Sequence, residues 1–218
     1  LWQSNSMSFI LVALLVLTGC SESTEVEEDL LGEWYKKSSY EGVARSGAVG
    51  FVIDGKAYVG LGYDGDKWLT DFYQFDPDKN NWYRRADFPG AGRSSAVAFT
   101  VNGKGYVGTG YDGTNYRKDF YEYDPSTDSW AQIADYAGTA RFQATAFSIE
   151  NLGYVGTGYD GNYLKDMFAY DPLTNTWIQR ASYSGDKLIN AFSFSIDGRG
   201  YLSGGMNNGV LNHEMWEY

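Results

Sequence analysis

At 218 residues, with 27 glycines against four prolines and with 19 Tyr, 12 Phe and 7 Trp, the chain has the composition of a β-rich protein packed through aromatic rings. Its formal net charge of −11 argues against nucleic acid as a partner, because phosphate binding depends on clustered Lys and Arg releasing counterions. After residue 20 no sustained apolar period of 3.6 residues occurs, so no helix is expected in the body of the chain.

The first feature in chain order is an address. Residues 9–17 are nine uninterrupted apolar residues, a signal-peptide core far short of the roughly 20 needed to span a bilayer. Leu17-Thr18-Gly19-Cys20 follows and resembles the lipobox of bacterial lipoproteins, whose cysteine is lipidated and becomes the mature N-terminus. Cys20 is the only cysteine, so no internal disulfide can form and acylation accounts for a lone thiol at this place. Residues 1–19 therefore read as a lipoprotein signal peptide. Residues 20–31 read as an acidic flexible tether, similar to the export signals of Bacteroidetes-type lipoproteins. The expected location is the bacterial cell envelope, lipid-anchored, at the outer membrane. One departure is that no Lys or Arg precedes the apolar core, which makes Met7 a poor start or places the true N-terminus upstream.

From there on the chain repeats itself. Tyr58-Val-Gly-Leu-Gly-Tyr-Asp-Gly returns at Tyr106 and Tyr154, and in altered form at Tyr201, at spacings of 48, 48 and 47 residues. Units of this length cannot bury their apolar face alone and must stack on copies of themselves. Trp34, Trp82, Trp130 and Trp177 each stand 24 residues before the next of these tyrosines. Behind each tryptophan come an aromatic (Tyr40, Phe88, Tyr136, Tyr183), a glycine (Gly42, Gly90, Gly138, Gly185) and then Arg45, Arg93, Arg141 or Leu188.

Residues 93–134 serve as the specimen unit. A first strand is expected over 95–101, a two-residue turn at Asn102-Gly103 and a second strand over 105–110. Asp54-Gly55 and Asp197-Gly198 fill the same turn, whereas the third copy carries Asn151-Leu152-Gly153. A third strand over 119–124 ends at Pro125, and Trp130 lies on a fourth.

These motifs resemble the kelch repeat, with its tyrosine before a glycine pair, its Tyr-Asp-Pro and its outer-strand tryptophan. The resemblance covers residues 34–218 and departs at the glycine pair, which is Leu61-Gly62, Thr109-Gly110 and Thr157-Gly158 before it becomes Gly204-Gly205. It implies an all-β propeller of four-stranded antiparallel blades over residues 32–218, with about four blades of a ring of six or seven. Trp34 would sit on a fourth strand lacking its first three, while Tyr218 ends a third strand. A fragment is expected over a complete ring of four, forming an open arc or with Trp34 packed only against the first blade.

Residues common to every blade build scaffold, and function is sought where copies differ. Arg45, Arg93 and Arg141 converge toward the channel, facing Asp64, Asp112 and Asp160. They either hold a neighbouring blade's aspartate or carbonyls, or form an anion-binding mouth. The loops between second and third strands carry Trp68, Tyr116 and Tyr163 near their tips, and Val210-Leu211-Asn212-His213 in the fourth copy. With Tyr63, Tyr111 and Tyr159 of the repeated motif, these rings are candidates for stacking on a sugar or anchoring a peptide, or else they fold onto their own blade.

No metal, cofactor or catalytic residue is expected. His213 is the only histidine and lacks triad or zinc partners, and the Asp64-Gly65-Asp66 pattern is not repeated as a calcium loop would be. The copper chemistry of galactose oxidase, a relative of the kelch propellers, is excluded for want of histidines and a free cysteine. The leading expectation is a non-catalytic, membrane-anchored module binding a glycan or a protein through its loop face. The alternative is an enzyme resembling the sialic-acid mutarotases of the family, motivated by the arginines.

Overall fold

In the computed structural model, which describes residues 33–218, the repeat becomes a series of separate antiparallel sheets. The first blade is β1 (Val49–Ile53), β2 (Lys56–Gly60), β3 (Phe72–Asp76) and β4 (Asn81–Arg85). The second is β5 (Val97–Val101), β6 (Lys104–Gly108), β7 (Phe120–Asp124) and β8 (Ser129–Gln132). The third is β9 (Thr145–Ile149), β10 (Leu152–Gly156), β11 (Met167–Asp171) and β12 (Thr176–Arg180). The fourth has three strands, β13 (Phe192–Ile196), β14 (Arg199–Ser203) and β17 (Met215–Glu217). Its long loop folds into a small hairpin, β15 (Met206–Asn207) with β16 (Val210–Leu211).

Turn chemistry sets the register. Asn102 and Gly103 both take positive φ (+51° and +72°), the type I′ geometry that matches the twist of the flanking strands, and Val101 pairs with Lys104 across them. The third blade keeps a two-residue turn at the matching place, one position earlier than the sequence motif indicated, but only the first of its two residues takes a positive φ. Ile149 pairs with Leu152, and Glu150 takes the positive φ of +53°. The strand pairing there outweighs the ordinary preference for Asn or Gly.

The core lies between blades. Phe51, Phe99 and Phe147 of the innermost strands each lie parallel to a tyrosine of their own blade, and each presses on a glycine of the next: Gly105, Gly153 and Gly200. A methyl group at any of these glycines would fall inside the phenylalanine ring. In the first blade the corresponding residue is Ala57, where no described blade packs. Each buried ring contributes on the order of 1.5–3 kcal/mol by leaving water. Neighbouring innermost strands also share hydrogen bonds, as from Ser148 Oγ to the Thr100 carbonyl at 2.8 Å.

Among the described residues β1 touches β5, β5 touches β9 and β9 touches β13, but β13 does not touch β1, so the four blades form an arc. The expectation for Trp34 is corrected. The described residues around it form no strand and its side chain is fully exposed. The calls on the signal peptide, Cys20 and the tether lie outside the described residues.

Candidate functional site

The loops before each first strand and those between second and third strands meet on one face. Single antiparallel bridges tie them: Ser46 to Tyr63, Ser94 to Tyr111, Phe142 to Tyr159 and Ile189 to Met206. The chain turns into this face on a glycine, Gly62, Gly110, Gly158 or Gly205, at φ between +86° and +99°. A Cβ there would lie 2.7–2.9 Å from the carbonyl oxygen of the bridging loop, so both the backbone angle and the close approach require glycine.

The position before it is the one where the first three blades depart from the kelch pair. Leu61, Thr109 and Thr157 hold φ of +56° to +59° despite their side chains, a conformation costing roughly 1–2 kcal/mol per residue. The arginines explain how it is held. Arg45, Arg93 and Arg141 each donate from Nη1 to the carbonyl of that residue, at 3.1, 3.1 and 2.9 Å. Each also grips an aspartate of the same blade with both Nη atoms: Asp71, Asp119 and Asp166. The guanidinium lies 4.9 Å from the ring of Tyr40, Phe88 or Tyr136, and Nε donates to a carbonyl two residues back. The backbone carbonyls of Arg93 and Arg141 accept from Gly62 and Gly110 of the preceding blade, so one residue braces a loop and joins two blades.

This corrects two expectations. The partners of the arginines are not Asp64, Asp112 and Asp160, which instead accept backbone N–H groups within their own loops, as Asp64 does from Asp66 and Lys67 at 2.9 Å. Those amides hold the Asp64 carboxyl below its ordinary range. Nor do the arginines line an open anion site, since Arg93 and Arg141 are 0% exposed and the Arg45 side chain is 5% exposed. Burial works to raise the carboxyls of Asp71 and Asp119, but the Arg45 and Arg93 forks outweigh it and hold both below the usual carboxylate range.

The six candidate rings do come together. Tyr63 packs on Trp68 (4.6 Å), Trp68 meets Tyr111 of the next blade edge-on (6.0 Å), Tyr111 meets Tyr116 (5.7 Å), Tyr116 meets Tyr159 (6.2 Å) and Tyr159 meets Tyr163 (5.3 Å). The result is one aromatic ladder across three blades, every ring half-buried. Tyr116 also lies flat on Phe142 at 4.9 Å, and the Tyr63 and Tyr111 hydroxyls donate back to Gly65 and Gly113. The rings thus fold onto their own blades and on to the next, carrying the loops that bear the exposed tips Asp66, Lys67, Thr114, Asn115 and Asn162.

Sequence reading did not single out Val210 and Leu211 as binding residues. They stand at the hairpin of the fourth loop, 71% and 79% exposed, beside a shallow depression bounded by Asp186, Asn207 and Asn212. The signal was available, since two adjacent aliphatics follow Asn207-Asn208-Gly209, a turn sequence that lifts them off the blade. Among the described residues no cluster of His, Cys, Asp and Glu could hold a metal ion.

Comparison with known proteins bears on this architecture. A family model described as the KLHDC2/KLHL20/DRC7 Kelch-repeats domain matches residues 44–205. No curated protein sequence matches the chain. A solved structure titled "Structure of YjhT" is similar with a TM-score of 0.66 and 20% identity, over 79% of this chain and 63% of that one. The chain therefore spans less than two thirds of that structure's length, and at this identity the likeness concerns the fold. With blade sheets, glycine turns and outer-strand tryptophans all in kelch register, the chain belongs to the kelch-repeat β-propeller family.

Proposed function

We propose that this chain is a binding module whose loop face takes a protein ligand, and that it is held at a bacterial outer membrane through a lipid on Cys20. The observation that carries the reading is the contrast on that face: a uniform ladder of half-buried rings beneath tips that differ in every blade, with Val210 and Leu211 exposed at one end. Exposed aliphatics beside amide and charged tips suit a protein surface. A glycan is the less supported ligand, because the ring faces that would stack on a sugar are occupied by neighbouring rings. The enzyme alternative rested on an arginine-lined face, and the burial of Arg93 and Arg141 removes that support.

Two experiments test the reading. Envelope proteins captured by the wild-type chain and by a Val210→Ser/Leu211→Ser variant are compared. Loss of a specific partner at unchanged melting temperature is the expected result, and identical capture would place the site elsewhere. For the anchor, Cys20→Ala expressed in a Gram-negative host should leave the membrane fraction or stall as precursor. Equal lipid labelling of both forms would refute it.

A further inference from the structure

The segment leading into each innermost strand passes through one residue on a left-handed backbone: Gly47, Ser95, Gln143 and Asn190, at φ of +61°, +54°, +53° and +54°. A chain of backbone hydrogen bonds links these residues from blade to blade. The Ser95 N–H donates to the Gly47 carbonyl at 2.8 Å, the Gln143 N–H to the Ser95 carbonyl at 3.1 Å and the Asn190 N–H to the Gln143 carbonyl at 3.1 Å. That chain explains why the backbone turns this way in every copy. It does not explain the side chains, because glycine meets the same requirement without a Cβ and does so in blade one. Serine and glutamine keep theirs at a cost in backbone energy.

These side chains share a position. Each follows a residue bridged to the loop between second and third strands, Ser94 to Tyr111 and Phe142 to Tyr159, so it stands at the inner end of the loop face. Ser95 and Gln143 have a described blade on either side. A side chain at position 47 would press on Ser94 Cβ at 3.0 Å and come within 3.3 Å of Ser95 Oγ, and the glycine there keeps that side of the serine hydroxyl clear. Ser95 and Gln143 are half-buried, and among the described residues neither side chain makes a hydrogen bond. The row carries no charge, and its residue type differs in every blade.

We propose that Ser95 and Gln143, continued by Asn190, form a subsite for an extended, uncharged stretch of main chain from the partner protein. The inference rests on the reading of the loop face as a protein-binding surface. A carboxamide carries a donor and an acceptor side by side, and in an extended segment the N–H and C=O of one residue point to the same side, so Gln143 meets both at once. The Ser95 hydroxyl, one step along the row, donates or accepts as the next group of the segment requires. A carboxylate or an ammonium group would leave half of the carboxamide unmatched and find no opposite charge in the row. Strain kept in two adjacent copies, where glycine would relieve it, marks side chains retained for contact and not for folding.

The test uses the 218-residue chain, isotopically labelled at its asparagine and glutamine side chains and followed by NMR. The probe is N-acetyl-tetraglycine N-methylamide, a main chain without side chains or charge. The Gln143 amide signal is expected to shift saturably at millimolar peptide, with the same affinity at low and high salt, since no ion pair is made. Gln143→Gly should weaken binding about 5- to 10-fold, read at the Asn190 amide, as one hydrogen-bonded contact is lost. Gln143→Gly and Ser95→Gly should each raise the melting temperature by about 2–4 °C as left-handed strain is relieved. A Gln143→Gly protein that melts below wild type makes the side chain part of the packing and overturns the inference, as does an unshifted Gln143 signal. A shift with methyl glucoside and not with the peptide assigns the row to a glycan and overturns it as well. Envelope capture separates this subsite from the wider reading: if Gln143→Gly keeps the partner that Val210→Ser/Leu211→Ser loses, the row is no subsite and the loop face still binds.

Discussion

Blades two and four build the same turn by different chemistry. In blade two Thr109 sits at φ +58°, its carbonyl held by Arg93, which is itself neutralised by Asp119. In blade four Leu188 replaces the arginine, Gly204 replaces the threonine at φ +68°, and Glu214 stands near where the aspartate would be, accepting from the Trp216 indole instead. Where the cation is lost, the residue needing its support becomes the one residue that needs none. The arginine series is therefore a backbone clamp, and its break at Leu188 is matched by a compensating glycine.

The largest expected effect comes from imposing blade four's solution on blade two by half. Arg93→Leu leaves the Asp119 carboxylate partly buried without its cation and the Thr109 carbonyl without its donor, and should cost about 3–5 kcal/mol in urea unfolding. Adding Thr109→Gly and Asp119→Asn should recover a large part of that loss. If the single variant unfolds like wild type, the clamp is incidental.

Trp130→Ala ranks next, at about 3 kcal/mol, since it opens a cavity between blades and strands the Ala86 carbonyl. A loss under about 1 kcal/mol by the same measurement would mean that this indole does not belong to the core between the blades.

In the reverse direction, Gly204→Thr places a side chain on a left-handed backbone with no arginine beneath it and should cost about 1–2 kcal/mol. Leu188→Arg in the same protein should offset part of this by meeting both the carbonyl and Glu214. A double-mutant cycle reading no coupling between positions 188 and 204 would break the comparison.

The smallest effect is that of pH. Asp71 and Asp119 have folded-state values below those of the unfolded chain, so the unfolded state binds more protons as pH falls through that interval. Their stabilisation is complete above about pH 4, the ordinary aspartate range, and is lost as pH drops toward the folded values. The Arg93→Leu/Thr109→Gly/Asp119→Asn protein should show a shallower acid limb than wild type in thermal melts between pH 2 and 5.

The strands, their hairpin turns and the blade count were legible because each rests on local chemistry: Asn-Gly and Asp-Gly pairs, proline after the third strand and alternating rings. The turn at Glu150-Asn151 was misplaced by one residue because the motif there lacks the usual glycine and only cross-strand pairing fixes its position. Trp34 carried the outer-strand signature and formed no strand, since a lone segment gains little by ordering without a sheet beside it. The arginines were legible as a series, but both Asp64 and Asp71 lie at regular distances from Arg45, and sequence spacing cannot say which one the fork meets. The candidate rings were rightly grouped on one face. Their packing on one another, and the exposure of Val210 and Leu211, depend on blade-to-blade distances that no single repeat encodes.

By itself, then, the sequence determined a stack of repeated β-units, because units of a period near 48 residues cannot bury their apolar face alone, and the resemblance of its motifs to the kelch repeat implied a propeller. Only the tertiary structure decided what the charges and rings do. Whether an arginine meets a ligand or only the carboxylate of its own blade depends on whether burial leaves it any solvent, and whether a loop ring has a free face depends on which ring of the next blade lies against it. Burial and stacking of this kind are set by packing across the interfaces and not by the order of residues within one blade.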